Sequence, residues 1–255
     1  MLSHRKPAWS QKVAEVTQSE ASMSIGGHLV ELRGRIVKIS AAVLLASVVA
    51  FIFHRDILSW LTVPYERAVP DGDGLAFFRP TEAFAVSMRL SLFGGLVLSS
   101  PIIIYQLWRF VSPALTKQER RYVVPLSLIL ALLFGSGIFL GYWSLERGLG
   151  FLFDFGGESL NPVIQAESYL SFAMRFIFVF GFAFEFPVFL FAAAAAGVVT
   201  STGLRANRRW AVTAIVVIGA VVTPSGDPLT LLLLSTPLYI LYEITILAIR
   251  FILKK

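Results

Sequence analysis

Glu185 has the most unusual neighbours of the 16 acidic residues in this chain. It stands in Phe184-Glu185-Phe186-Pro187, inside an apolar run from about Leu170 to Val199. A carboxylate at the centre of a membrane helix costs roughly 2.5–3.5 kcal/mol on insertion scales. Two readings account for it: a protonated or hydrogen-bonded structural glutamate, or a polar site that a ligand must contact. Two other carboxylates, Glu31 and Glu119, sit at predicted helix ends in basic surroundings, His28-Leu29-Val30-Glu31-Leu32-Arg33 and Lys117-Gln118-Glu119-Arg120-Arg121. Each can pair with its own neighbours, as Glu31 with Arg35 at i,i+4, worth a few tenths of a kcal/mol. Each can also be presented to a cationic ligand. Residue type and spacing leave both readings open. Glu243 lies seven residues before Arg250 on one helix face, which points to a snorkelled or capped side chain.

No catalytic pattern competes with these carboxylates. The chain lacks a G-x-x-x-x-G-K-[ST] phosphate loop, an H-E-x-x-H zinc motif and a G-x-S-x-G elbow. Its three histidines, His4, His28 and His54, are too scattered for a metal site, and zero cysteines exclude disulfides, thiol nucleophiles and cysteine-based metal ligation. The expectation is a protein that is not an enzyme and carries no cofactor.

The elements that must position these residues are read from composition. The 255 residues are 56% hydrophobic and 15% charged, with mean hydropathy +0.74. A soluble domain is about 25% charged, and too few charges remain here to coat a globule of this size. An all-α protein with six transmembrane helices is predicted. The apolar segments run from about Ile36–Phe53, Phe84–Phe110, Tyr122–Leu145, Leu170–Val199, Trp210–Val222 and Leu229–Leu253. The fifth has 13 residues, short of the roughly 20 a bilayer needs, so the last two spans are expected to form a short, tight hairpin. Residues 1–24 are polar and read as a flexible cytoplasmic tail, leaving 25–255 as the transmembrane domain.

Loop charges give an orientation. Of 22 Lys/Arg, 16 fall on the side of the two termini and six on the other, so the positive-inside rule puts both termini in the cytoplasm of a cell (inner) membrane. The net charge of +6 then records topology and does not imply nucleic acid. Two long outer connections, about 54–83 and 146–169, remain. The first contains Pro64, Pro70, Pro80 and Asp71-Gly72-Asp73-Gly74, which favour turns over a long regular element, while Trp60 and Leu61 suggest that its start lies along the membrane surface. Pro101, Pro125, Pro187 and Pro237 are read as helix kinks, and Gly137-x-x-x-Gly141 as close helix packing, within this chain or against a partner. A small-solute transporter would show internal symmetry and several intramembrane charges, neither of which is visible; a structural scaffold would differ only in having no ligand.

In order along the chain stand His28-Leu29-x-Glu31-Leu32-Arg33, Pro80-Thr81-Glu82-Ala83-Phe84, Tyr105-Gln106-Leu107-Trp108-Arg109-Phe110, Pro113, Glu119-Arg120-Arg121, Phe184-Glu185-Phe186-Pro187, Thr223-Pro224 with Asp227, and Tyr242-Glu243. Over about residues 25–250 this series resembles the TatC family, the six-span receptor subunits of the twin-arginine protein translocase. The resemblance implies a translocase core that binds twin-arginine signal peptides and exports folded proteins using the proton-motive force. It implies that Glu31 and Glu119 contact the arginine pair, that Arg33 and Phe110 take part in signal recognition, and that Glu185 and Pro64 match functional positions in the membrane and in the first outer loop. It further implies single-span partners, TatA and TatB, docking on the last hairpin around Thr223, Pro224 and Asp227, and a homo-oligomer within a lipid-embedded complex. Leu231 stands where many members carry glutamine, with Thr230 as a candidate polar substitute.

Overall fold

The computed structural model describes residues 25–70, 74–111, 123–154, 163–223 and 226–253. It is helical except for one short strand pair. The order is α1 (Ile25–Ile52), α2 (His54–Ala68), β1 (Leu75–Ala76), α3 (Glu82–Val111), α4 (Val123–Asp154), β2 (Ile164–Gln165), α5 (Ala166–Ala183), α6 (Phe186–Ala195), α7 (Ser201–Ala206), α8 (Arg208–Val222) and α9 (Pro228–Ala248), closed by a π-helical turn, Ile249–Leu253. Among the described residues five helical stretches are long and apolar enough to cross a membrane: Leu29–Ile52, Glu82–Phe110, Ser127–Asp154, Ala166–Ala195 and Pro228–Leu253. α8 has 15 residues, about 22 Å at 1.5 Å per residue, and is short as its apolar run predicts. The last helix is not short: α9 and the π turn together form a 26-residue stretch, because Pro237 is accommodated within a continuous helix.

The core lies where α2, α3, α4 and α5 meet, around Leu61, Tyr65, Leu90, Leu145, Leu170, Phe176, Ile177 and Phe180, all nearly inaccessible. Elsewhere the helices expose large apolar side chains, among them Leu45, Val48, Leu132, Phe139 and Phe251. An apolar core with an apolar exterior is what a bilayer solvent selects, since lipid imposes no cost on exposed leucine. Small residues set the helix contacts. α1 lies against α3 where Ser47 and Ala50 meet Gly95 and Gly94; a Cβ on Gly94 would stand 2.9 Å from the Ala50 Cβ. Gly137 and Gly141 of α4 receive α5: a Cβ on Gly137 would stand 2.5 Å from the Phe180 carbonyl oxygen and 2.8 Å from the Gly181 Cα. The glycine pair therefore packs within this chain.

The first long connection departs from the expectation of turns. Residues 54–68 form α2, with Pro64 inside it and buried. A proline within a helix costs one backbone hydrogen bond, and packing of an amphipathic face compensates here. Leu61 is wholly buried in the core instead of lying on the membrane surface, while Trp60 stacks on Tyr142 at 4.0 Å between ring centroids. The two long connections are also joined to each other. β1 pairs parallel with β2, Leu75 opposite Ile164 and Ala76 opposite Gln165. Beneath the pair, the Glu82 side chain is 2% exposed and accepts hydrogen bonds from the backbone N–H groups of Phe78 and Glu167, both at 3.1 Å. One carboxylate thus fixes the start of α3 and the start of α5 at once. Bonds to a charged acceptor contribute about 1.5–3 kcal/mol each, and an orphaned buried N–H adds its own penalty. Glu82→Ala should therefore lower the thermal unfolding midpoint in detergent; an unchanged midpoint would remove Glu82 from this role.

Candidate functional site

The stretch Ala166–Ala195 is not one continuous helix. α5 ends at Ala183, residues 184–185 form a turn, and α6 begins at Phe186. Pro187 has no N–H to offer to the Ala183 carbonyl, so the ladder breaks one turn before it. The Glu185 N–H instead bonds the Phe182 carbonyl at 3.1 Å, and the Glu185 carbonyl accepts from the Val188 N–H at 3.0 Å. The sequence places a kink here, and the structure shows that the kink presents Glu185.

The Glu185 side chain is 5% exposed, and neither carboxyl oxygen has a hydrogen-bond partner among the described residues. It faces a cavity of about 480 Å³ between α3, α4, α5 and α6, walled by Leu96, Ile104, Phe134, Phe178 and Phe189. The same cavity reaches Ser100, Trp108 and Phe110 of α3. The Trp108 indole N–H is also buried without a partner among the described residues. Two unpartnered polar groups, one donor and one acceptor, thus lie along a single apolar cavity. Buried polar groups are rarely left unpaired, and each one that is calls for an explanation.

Phe110 and Glu185, separate motifs in the sequence, share this cavity. Glu31 lies next to it in the fold. Arg35 pairs with Glu31 through Nη2, and its Nε donates to Glu31 Oε1 at 3.1 Å. The same guanidinium reaches across to α3, donating to Gln106 Oε1 at 3.2 Å and to the Arg109 carbonyl at 3.1 Å. The Glu31–Arg35 pair expected from i,i+4 spacing is present, and it also staples the N-terminal part of α1 to the Tyr105–Phe110 segment. Arg33 is exposed on α1. Glu119 and Pro224 lie outside the described residues. Pro64 belongs to the other end of the bundle, in α2, which follows the C-terminal end of α1, whereas Glu31 lies near the start of α1.

Around the last hairpin, Thr223 donates its hydroxyl to the Gly219 carbonyl at 2.8 Å. Asp227 caps α9, with Oδ1 accepting from the Thr230 N–H at 2.8 Å and Oδ2 from the Thr230 hydroxyl at 2.5 Å. Thr230 is fully buried, its methyl within 2.6 Å of where a Cβ on Gly148 would stand. Its polar group therefore serves the cap within this chain. Leu231 packs on Gly219 between α8 and α9. Glu243 is paired, but not with Arg250: Arg208 of α8 donates to it at 2.6 Å and the Tyr239 hydroxyl at 3.1 Å. Helical spacing identifies a face but cannot identify a neighbour brought in by the preceding helix. Trp108 and Glu82 stand inside sequence motifs, yet residue type alone assigns neither a role. No residue pattern reveals that one indole would be left unpaired or that one carboxylate would bridge two connections.

A predominantly helical, multi-pass membrane protein with a buried carboxylate on a bundle cavity, unpartnered among the described residues, is the class this fold and site define. Within that class, the chain belongs to the TatC family of Sec-independent protein translocase components: the family model for the Sec-independent protein translocase protein (TatC) matches residues 27–237. The chain is 37% identical over 242 residues to the TatC protein of Frankia casuarinae, covering 91% of this chain and 66% of that one. It is 33% identical over 229 residues to TatC of Escherichia coli K12, covering 89% and 88%. A crystal structure of a twin-arginine translocase receptor, TatC, in DDM superposes with TM-score 0.75 at 36% identity, covering 87% of this chain and 99% of that chain.

Proposed function

We propose that this chain is the signal-peptide receptor of a twin-arginine translocase, with six spans and both termini in the cytoplasm. α8 crosses as the short fifth span, and Glu31 and Glu119 receive the arginine pair. The observation that supports this most directly is continuity: the Arg35 staple joins Glu31 to the segment whose last residue, Phe110, opens onto the Glu185 cavity. A ligand with a doubly basic head and an apolar segment matches that layout, with arginines at the carboxylates and apolar residues along the cavity walls. The arginine fork pairs bidentately with carboxylate, a geometry lysine cannot reproduce. Exposed ion pairs supply about 0–1 kcal/mol each, whereas micromolar affinity needs about 8 kcal/mol, so the apolar segment must supply the rest at about 25 cal/mol per Å² buried.

Single-span partners of the TatA and TatB type dock on the α8–α9 hairpin in this reading. A second apolar cavity of about 490 Å³, lined by Phe182, Phe186, Ile215, Ile218 and Leu234, lies between that hairpin and α5–α6. With Leu231 and Thr230 both turned into the chain, docking there rests on apolar packing. In this reading the energy for transport comes from the proton-motive force, as the resemblance to the TatC family implies. A pull-down with the full chain as bait should recover TatA- or TatB-like proteins together with twin-arginine precursors. Recovery of neither from membranes that contain both would overturn the proposal.

A further inference from the structure

At the end of the bundle that carries α2 and the β1–β2 pair, a groove of about 720 Å³ runs between α3, α5 and the C-terminal end of α8. Its floor is apolar, formed by Phe93, Leu96, Met174, Phe178 and Val179, and its rim holds two arginines, Arg89 and Arg175. α3 begins at Glu82 and α5 at Ala166. At 1.5 Å per residue the two arginine positions lie about 10 Å and about 13 Å inside the helix starts, within apolar membrane-spanning stretches. Both side chains are exposed. Arg89 spends Nη1 on Glu167 at 2.7 Å and on the Ser171 hydroxyl at 3.1 Å. Glu167 is shared with Arg79, which donates to it at 2.8 Å. Arg175 donates Nε to the Ser171 carbonyl at 3.0 Å, and no described carboxylate lies within ion-pair distance of it. Two guanidinium groups therefore share one carboxylate, and a third, Arg175, stands without a described carboxylate partner beside the same apolar channel.

An exposed guanidinium at membrane depth is unfavourable unless it snorkels to the interface or meets an anion. Its planar fork matches a phosphate. We propose that this groove binds an anionic glycerophospholipid, the phosphate held between Arg89 and Arg175 and one acyl chain laid along Phe93, Met174 and Phe178. The excess positive charge selects an anionic headgroup, because a zwitterionic lipid would bring its ammonium toward the same arginines. The inference rests on the chain spanning a membrane and is independent of signal-peptide recognition.

The test uses the full chain purified in a neutral maltoside and native mass spectrometry, with phosphatidylglycerol, phosphatidylcholine and glycerol 3-phosphate as probes. The wild-type chain should retain phosphatidylglycerol at least tenfold better than phosphatidylcholine and should not retain glycerol 3-phosphate. Arg175→Gln, which removes one bond to its own helix backbone, should lower phosphatidylglycerol retention at least fivefold with an unchanged thermal midpoint. Arg147→Gln should leave retention unchanged, because that guanidinium stacks on Trp143, 3.6 Å from its ring. In the wild-type chain, phosphatidylglycerol with a photoreactive acyl chain should label α3 or α5 near the groove. Equal retention of both lipids, equal retention by Arg175→Gln, or labelling confined to other helices would overturn the proposal. The last outcome would leave the arginine pair to an acidic partner segment.

Discussion

Glu31→Gln is expected to weaken binding of a twin-arginine peptide by about 10–100-fold, the equivalent of one charge-assisted hydrogen-bonded contact of about 1.5–3 kcal/mol. In the resting arrangement Arg35 occupies Glu31. An incoming guanidinium must displace it, so part of the new pair's energy offsets the loss of the old one. The variant still loses more than that difference suggests. Without the carboxylate, Arg35 keeps only neutral partners, Gln106 and the Arg109 carbonyl, and the peptide's arginines meet repulsion where they met an acceptor. Because the Debye length is about 10 Å at 0.1 M salt, the wild-type affinity should fall as salt rises and the variant's dependence should flatten. A twin-lysine peptide should bind the wild type about tenfold more weakly, since an ammonium cannot reproduce the fork. Calorimetry or fluorescence titration on the purified chain reads each of these. A folded Glu31→Gln chain with unaltered affinity would exclude the role.

Glu185→Leu is expected to separate stability from transport. Its carboxyl group is buried with no partner among the described residues, and an unpaired buried polar group costs about 1–3 kcal/mol. Leucine of similar size removes that cost and extends the apolar wall formed by Phe178, Phe182 and Phe189. The thermal midpoint in detergent should rise, while export of a twin-arginine substrate should drop at least tenfold. Glu185→Gln keeps a polar group at the position and should retain more export than leucine does. A stability gain accompanied by lost function is the mark of a site retained at a cost to the fold. Normal export by the leucine variant would make Glu185 structural, and a lowered midpoint would show that its carboxylate stabilises the fold.

Several features of the fold are local enough to be legible in the amino-acid sequence. Helix content follows from apolar runs, the Pro187 break from proline chemistry, the Gly137–Gly141 contact from small-residue spacing, and the Glu31–Arg35 pair from i,i+4 geometry. Each is decided within a few residues along the chain. α2 is not legible in this way, because proline and glycine counts weigh against a helix that tertiary burial of Leu61, Pro64 and Tyr65 makes favourable. The partner of Glu243 escapes a linear pattern for the same kind of reason: Arg208 lies 35 residues away in sequence and 2.6 Å away in space.

The amino-acid sequence alone determined that this is a helical, membrane-spanning chain with a carboxylate at Glu185 and two basic-flanked carboxylates at Glu31 and Glu119. Hydropathy, charge and residue order carry that information without reference to the fold. Only the tertiary structure decided that Phe110, Trp108 and Glu185 line one cavity, that Arg35 joins Glu31 to its neighbouring segment, that Glu82 locks two connections together, and that Thr230 turns inward. These depend on which faces of antiparallel helices meet. Small residues such as Gly94, Gly95, Gly137 and Gly181 set that by how closely they let two backbones approach, and a one-dimensional pattern does not contain the result.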